Sequence, residues 1–440
     1  MVSGTGPARV AVRRHYSVGM IGALSLLDIA AYRAQRALGS VVLAQVTWLV
    51  DGPPDPDRLR ALADHLAAAN QTGRVIVPAS VLGGRDHWGP LPAVPAVEVE
   101  DDPIDRVDVL DWVDERAQVP ITATARPWHL AARPLTGGGH AVTLVVSHAL
   151  TDGIGLVNAL TSLGLPGPGP RTVRRPGPLT GLQEAVTGLP SAVRAAVKAA
   201  RLARGGGPAP TASPTTSRTR PHTALALIDS AAWHAAAAAQ LGSSNALFVS
   251  VAAQVAAAIG RVATDGTALL GIPVNERADG DDVTANALAT VRLNLPADRI
   301  RDVAHVRAEL KRILSSREPD ASFAAALPLV PYLPSAALRP LAQAALGGAE
   351  PVTSASHVGV VPRSLADAPG PAGAVFMNLG MQHPGVTETA ERLNCVAVEA
   401  SGMVALHVGA VADRLTDRAE VRSALLAALR AVGAEPRELL

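Results

Sequence analysis

Thiols, aromatic rings and net charge are all scarce in this chain. One cysteine, Cys395, stands among 440 residues. That excludes an internal disulfide framework and any metal cluster built on several thiolates. Cys395 is expected in the core, and so little cysteine agrees with a cytoplasmic location. Aromatic residues make up 2% of the chain and the formal net charge is +1. Such a chain lacks both stacking platforms for bases and a global field for phosphates, so nucleic acid is not expected as a partner. No run of about eighteen strongly apolar residues occurs, and a spanning helix is not expected. Arg13 and Arg14 followed by Val18 to Leu27 have the outline of a secretory signal, but Asp28 interrupts the apolar stretch and no clear cleavage site follows. The segment Ala23 to Tyr32 reads better as an amphipathic helix.

What is present is apolar and globular: 48% hydrophobic against 18% charged residues, in a chain long enough for two cores. Val41 to Val50 reads as a strand, ended by Asp51-Gly52-Pro53-Pro54, and Asp55 to Leu66 as a helix with an acidic first turn. Trp128 to Pro134 and His140 to Ser147 flank a Thr-Gly-Gly-Gly turn, a hairpin signal, and the apolar spacing of Ile154, Val157, Leu160 and Leu163 is helical. In the second half, strands are expected at Ala224 to Ile228, Thr267 to Asn275, Ala289 to Pro296, His357 to Val361, Ala374 to Gly380, Val396 to Glu399 and Met403 to Val408. Helices are expected from Ala231, over Ala246 to Ile259, Val303 to Ser315 and Arg418 to Val432. Strands and helices mix without strict alternation, which predicts an α/β protein of two sandwich-like (α+β) lobes rather than a Rossmann sheet. Composition divides the chain into a lobe over residues 1–165, a basic Pro/Gly-rich linker over 166–221 and a lobe over 222–440. The linker holds a helix from Pro190 to Arg204 with Arg194, Lys198 and Arg201 on one face, and from Arg171 to Arg220 nine basic residues meet one acid, Glu184. It reads either as a solvated connector or as a docking surface for an anionic donor, a carrier domain or the periphery of a membrane.

Chemistry concentrates at His148. It closes the apolar run Ala141 to Ser147 and opens His148-Ala149-Leu150-Thr151-Asp152-Gly153, a His-x-x-x-Asp-Gly cluster on a strand-to-helix connection. Histidine is the side chain whose charge changes near neutral pH, and here it can take a proton from a hydroxyl or amine. Against this stands a histidine that merely caps a strand. His140, His357, His383 and His407 are scattered without acidic or cysteine partners at ligand spacing, so no metal site is expected.

Ser147 to Gly153 resembles the His-His-x-x-x-Asp-Gly motif of the chloramphenicol-acetyltransferase-like superfamily, which includes peptide condensation domains, wax ester synthase/diacylglycerol acyltransferases and polyketide-associated acyltransferases. Other segments follow in the order of the wax-ester-synthase group: Leu24 to Asp28, Arg126-Pro127-Trp128, Gly271 to Arg277, Asn286, Leu293 to Pro296 and Thr353 to Gly359. The resemblance implies two lobes with an active-site tunnel between them and His148 as general base. The substrates would be an acyl-CoA or acyl-phosphopantetheine thioester and a small alcohol or amine, with no permanently bound cofactor. It implies that Asp152 holds the loop by pairing with an arginine, which the sequence leaves unassigned. Gly153 is expected to permit the close turn. Ser147, Trp128, Asn294, Ser354 and Ser356 are candidates for contacting substrate or the developing oxyanion. Three departures stand out: Ser147 replaces the first histidine, Ser354-Ala355-Ser356 replaces Ser-Asn, and the Arg-His-x-x-Leu-Arg motif of peptide condensation domains is missing near Arg74. An ester-forming lipid or natural-product acyltransferase, monomeric or weakly dimeric, is the reading. An amide-forming stand-alone condensation enzyme and a non-catalytic scaffold are the alternatives.

Overall fold

The computed structural model describes residues 22–162, 177–205, 216–217, 221–277, 284–316, 326–346, 350–383 and 389–440. Two large sheets organise the chain. The first has five strands in the order β12-β1-β6-β5-β4: β1 (Val41–Val50), β4 (Val97–Val99), β5 (Trp128–Pro134), β6 (His140–Ser147) and β12 (Ala372–Gln382). The second has seven, in the order β10-β9-β11-β14-β15-β8-β16: β8 (His222–Asp229), β9 (Ala268–Asn275), β10 (Leu288–Leu295), β11 (Thr353–Val360), β14 (Arg392–Ala400), β15 (Met403–Val411) and β16 (Glu438–Leu439). Short pairs β2 (Arg74–Val77) with β3 (His87–Pro90), and β7 (Thr216–Ser217) with β13 (Thr389–Ala390), complete the strands.

Local sequence explains the main elements. Helix α1 (Leu26–Leu38) starts at Ser25, whose hydroxyl accepts from the Asp28 amide, and stops at Gly39 in the left-handed region. Helix α2 (Pro56–Ala68) is capped by Asp55 and buries Leu59, Leu62, Ala63 and Leu66 against the first sheet. The β5–β6 hairpin turns through Gly137, Gly138 and Gly139, all at positive φ, a conformation that side chains resist. In β1 and β6 one face, Ala44, Val46, Trp48, Val142, Leu144 and Val146, joins the core under α2. The other face carries Gln45, Thr47 and Thr143, linked by hydrogen bonds and turned toward α3 (Val109–Arg116). The second sheet packs α7 (Ser244–Ala258), α8 (Val303–Ser315) and the C-terminal helix (Arg418–Ala431) on one face, around Phe248, Val255, Leu406 and Leu425. Its other face offers Leu225, Leu227, Val396 and Val398 to the first sheet's core.

The second half of the chain does not stay in its own lobe. Strand β12 pairs along the whole of β1, so residues 372–382, from the part of the chain beyond 222, complete the first sheet. Gln382 at its end donates to the carbonyls of Ala117 and Val119. The linker also departs from expectation: the helix runs from Pro178 to Gly205 as α5, with Pro190 inside it. It is docked, because Glu184 is buried and accepts from His87 Nε2 at 2.8 Å and from the Arg85 amide, while Tyr332 donates to the Ala185 carbonyl. The parts of the linker at 166–176, 206–215 and 218–220 lie outside the described residues.

Candidate active site

Strand β6 delivers the motif. The Ser147 amide donates to Pro127 O and the His148 amide to Val42 O at 2.8 Å, while Leu150 N–H closes a turn on Ser147 O. The backbone of His148 is thereby fixed by the neighbouring strand β1. Its imidazole is half-buried, and neither ring nitrogen has a hydrogen-bond partner among the described residues. The next turn starts α4 (Gly153–Thr161) with Asp152 as its N-cap, Oδ1 accepting from Gly155 N–H at 2.8 Å.

Asp152 is fully buried and answers the question of its arginine. Arg277, from the segment after β9, places Nη1 2.8 Å from Asp152 Oδ1, with both side chains almost wholly out of water. The same guanidinium donates to the carbonyls of Thr284 and Ala285 at 2.9 and 2.7 Å. The strap 284–287 is bonded in return: Asp152 N–H donates to Ala285 O, and Ala287 N–H donates to Asp152 Oδ2. The carboxylate therefore has both oxygens engaged, Oδ1 by Arg277 and Gly155 and Oδ2 by Ala287, which suits a holding role.

A second carboxylate continues the cluster. Asp28, on α1, accepts from the Asn286 amide and side chain at 3.2 and 3.1 Å and from Ser25 Oγ. Burial pushes its carboxyl upward, opposed by the hydrogen bonds from Ser25 and Asn286 and by Arg74. Arg74 lies over the Trp88 ring at 3.7 Å and donates to Leu150 O inside the motif loop. Burial pushes it down to about 10, with Asp28 opposing and Arg277 assisting. Two carboxylates and two guanidiniums thus balance in a buried patch that joins α1, the motif loop and the strap from the second half. Sequence reading named Arg277 and Asn286 only as family-like positions, and Arg74 only as the site of a missing motif. Partners so distant along the chain leave no periodic signal.

Glycine roles also shift. Gly153 has no left-handed φ and open space where a Cβ would sit, so it does not enforce the close turn expected of it. Gly155 is the crowded position: a Cβ there would overlap Thr151 Oγ1 and stand 3.0 Å from Arg277 Nη2. The absent side chain lets the arginine reach Asp152.

The remaining candidates spread out. Ser147 is fully buried and its hydroxyl has no partner among the described residues. Trp128 is also fully buried in the first core, its indole N–H donating to Thr72 O at 3.0 Å, which leaves it no face for a substrate. Asn294 is exposed on the edge strand β10, seven residues or on the order of 20 Å along the chain from Ala287 at the motif. Ser354 and Ser356 are half-buried on β11, and Ser356 is in register with Val396, so both hydroxyls lie on the sheet face turned to the first lobe. Two surface hollows, one of about 390 Å³ between α2 and Val94 to Val99 and a small one beside Asn294, do not include His148.

No protein-family model and no curated protein sequence matches this chain. Solved structures do. It is similar to the first condensation domain of the calcium-dependent antibiotic synthetase bound to a substrate analogue, at 17% identity and TM-score 0.54, with 94% of this chain and 96% of that one covered. The condensation domain of the monacolin K polyketide synthase MokA matches at 13% identity and TM-score 0.51, covering 94% and 96%. The TRI3 trichothecene 15-O-acetyltransferase from Fusarium sporotrichioides matches at 12% and 0.55, covering 98% and 99%. At such identities the likeness is one of architecture: this chain has the two-lobed, chloramphenicol-acetyltransferase-like fold of those condensation domains and that acetyltransferase.

Proposed function

We propose that the protein is an acyltransferase in which His148 is the general base. A ring nitrogen takes the proton of an acceptor hydroxyl or amine as that atom attacks the carbonyl of an acyl thioester. A C–O or C–N bond forms, the C–S bond breaks, and the proton on the imidazole passes to the departing thiolate, so atoms and electrons balance without a redox partner or a covalent enzyme intermediate. The observation that carries this reading is the half-exposed imidazole on a strand end, without a hydrogen-bond partner among the described residues, beside a carboxylate whose two oxygens are engaged in holding the loop. A base must be free to accept and must be held in place, and this arrangement supplies both. Ser354 and Ser356, whose hydroxyls have no partner among the described residues, are assigned in this proposal to donate to the developing oxyanion.

The matched structures, condensation domains and an O-acetyltransferase, support acyl transfer as the class and natural-product biosynthesis as the setting; the donor in this proposal is a thioester of CoA or of a carrier protein. The test is His148→Ala, assayed by mass spectrometry with acyl-CoAs and acylated carrier proteins against alcohols and amines. General-base loss lowers turnover by about 10²–10⁴-fold. Undiminished product from a folded variant refutes the base role. Transfer from free acyl-CoA to alcohols marks an ester-forming enzyme, and transfer only from a carrier to amines marks the condensation type.

A further inference from the structure

Helix α5 is amphipathic in the opposite sense to an ordinary surface helix. Its small residues, Gly181, Gly188, Ala192 and Ala195, face the protein, and a Cβ at Gly188 would collide with the Tyr332 hydroxyl. Its large aliphatic side chains, Leu179, Leu182, Val186, Leu189, Val193 and Val197, are turned to solvent, each between 47% and 82% exposed. At about 100° per residue these six fall within an arc of about 80°, a stripe about 27 Å long on the outer face of the helix. Water-facing apolar stripes of that continuity mark a surface that is covered in use.

Charge identifies the cover. Between Arg171 and Arg220 the chain has nine basic residues and one acid, Glu184. That acid is buried against His87 and the Arg85 amide and contributes nothing outward. Arg194 and Lys198 are exposed and follow the stripe on one flank, where the neighbouring polar positions, Gln183, Thr187 and Ser191, are neutral. An aliphatic ridge with cations beside it suits a helix lying in the plane of an anionic membrane surface, its apolar side chains in the acyl boundary and its cations at the phosphates. An acidic protein would match the cations but not six large exposed aliphatic side chains in one stripe. No single described helix is long and apolar enough to cross a membrane.

We propose that α5 seats the protein on an anionic lipid surface, independently of any chemistry at His148. The experiment is co-sedimentation of the full chain with vesicles of phosphatidylglycerol and phosphatidylcholine, and with phosphatidylcholine alone, for the native protein, the Val186→Ser/Leu189→Ser variant and the Arg194→Glu/Lys198→Glu variant. The native protein is expected to bind the anionic vesicles and to be released by salt. Each double variant is expected to lower the partition coefficient at least tenfold with an unchanged unfolding midpoint, since all four side chains are exposed. Absence of binding to anionic vesicles, or binding indifferent to Val186→Ser/Leu189→Ser, overturns the proposal. So does loss, in these variants, of affinity for an acidic carrier protein by a chain that ignores vesicles, which assigns the ridge to a protein partner.

Discussion

Arg277→Met tests the buried pair that ties the motif loop to the second half of the chain. The guanidinium is 3% and the Asp152 side chain 0% exposed, and their closest atoms are 2.8 Å apart. Deleting one partner of a buried ion pair costs about 3–5 kcal/mol, because the remaining charge stays out of water uncompensated. Asp152 would keep two donors, Gly155 N–H and Ala287 N–H, so the lower end, about 3 kcal/mol, is expected. Asp152→Asn retains an oxygen for the Gly155 cap and leaves Arg277 with the carbonyls of Thr284 and Ala285, for about 2 kcal/mol. The double variant loses the pair once, not twice, and the cycle should return a coupling of at least about 2 kcal/mol. Denaturant unfolding followed by tryptophan fluorescence reads this directly, since Trp48, Trp112 and Trp128 are all buried in the first lobe's core. Under conditions where Arg277→Met remains folded, turnover should still fall, because the loop that carries His148 has lost its anchor. A coupling within about 0.5 kcal/mol of zero, the level of additivity for independent sites, would refute the assignment of Arg277 as the residue that holds Asp152.

Gly155→Ala places a methyl group against Thr151 Oγ1 and Arg277 Nη2, an overpacking expected to cost about 1–3 kcal/mol, whereas Gly153→Ala meets open space and should be within about 0.5 kcal/mol of the native protein. Equal effects in thermal unfolding would contradict the crowding at Gly155. His407 is buried in the stack with Phe376, ring centroids 6.1 Å apart, and burial pushes it down to about 3. A base depressed in the folded state is protonated first in the unfolded chain. Its contribution is therefore present above its ordinary value near 6.5 and is lost as pH falls from there toward 3. His407→Phe should flatten the stability curve between those values, and an unchanged slope would refute this reading.

Much of the architecture was legible because it is local. Strand β1 and both strands of the β5–β6 hairpin fall where the apolar runs and the glycine turn put them, and α8 matches its period from Val303 to Ser315. Elements too short to carry a period escaped: β2, β3 and β4 have four residues or fewer. Helix α3 also escaped, because Asp111, Asp114, Glu115 and Arg116 interrupt the apolar positions Leu110, Trp112 and Val113 that it buries. Pro190 reads as a helix start, since proline fits a first turn, yet it sits inside α5. Which sheet a strand joins is invisible to periodicity, and β12 accordingly looked like a second-lobe strand although it pairs with β1.

The sequence by itself determined the base candidate. An apolar strand must end somewhere, and a histidine followed by an N-capping aspartate places a titratable ring and a held loop at that end through neighbours a few residues apart. Only the tertiary structure decided what holds the loop: Arg277 and the strap 284–287 come from the other half of the chain, and Gly155 rather than Gly153 makes room for them. Tertiary packing likewise decided that α5 turns its aliphatic residues outward, because its small residues are the ones that fit against Tyr332 and Val81. Hydrophobic period reveals that a helix has two faces; which of them is buried depends on the shape of the surface it meets.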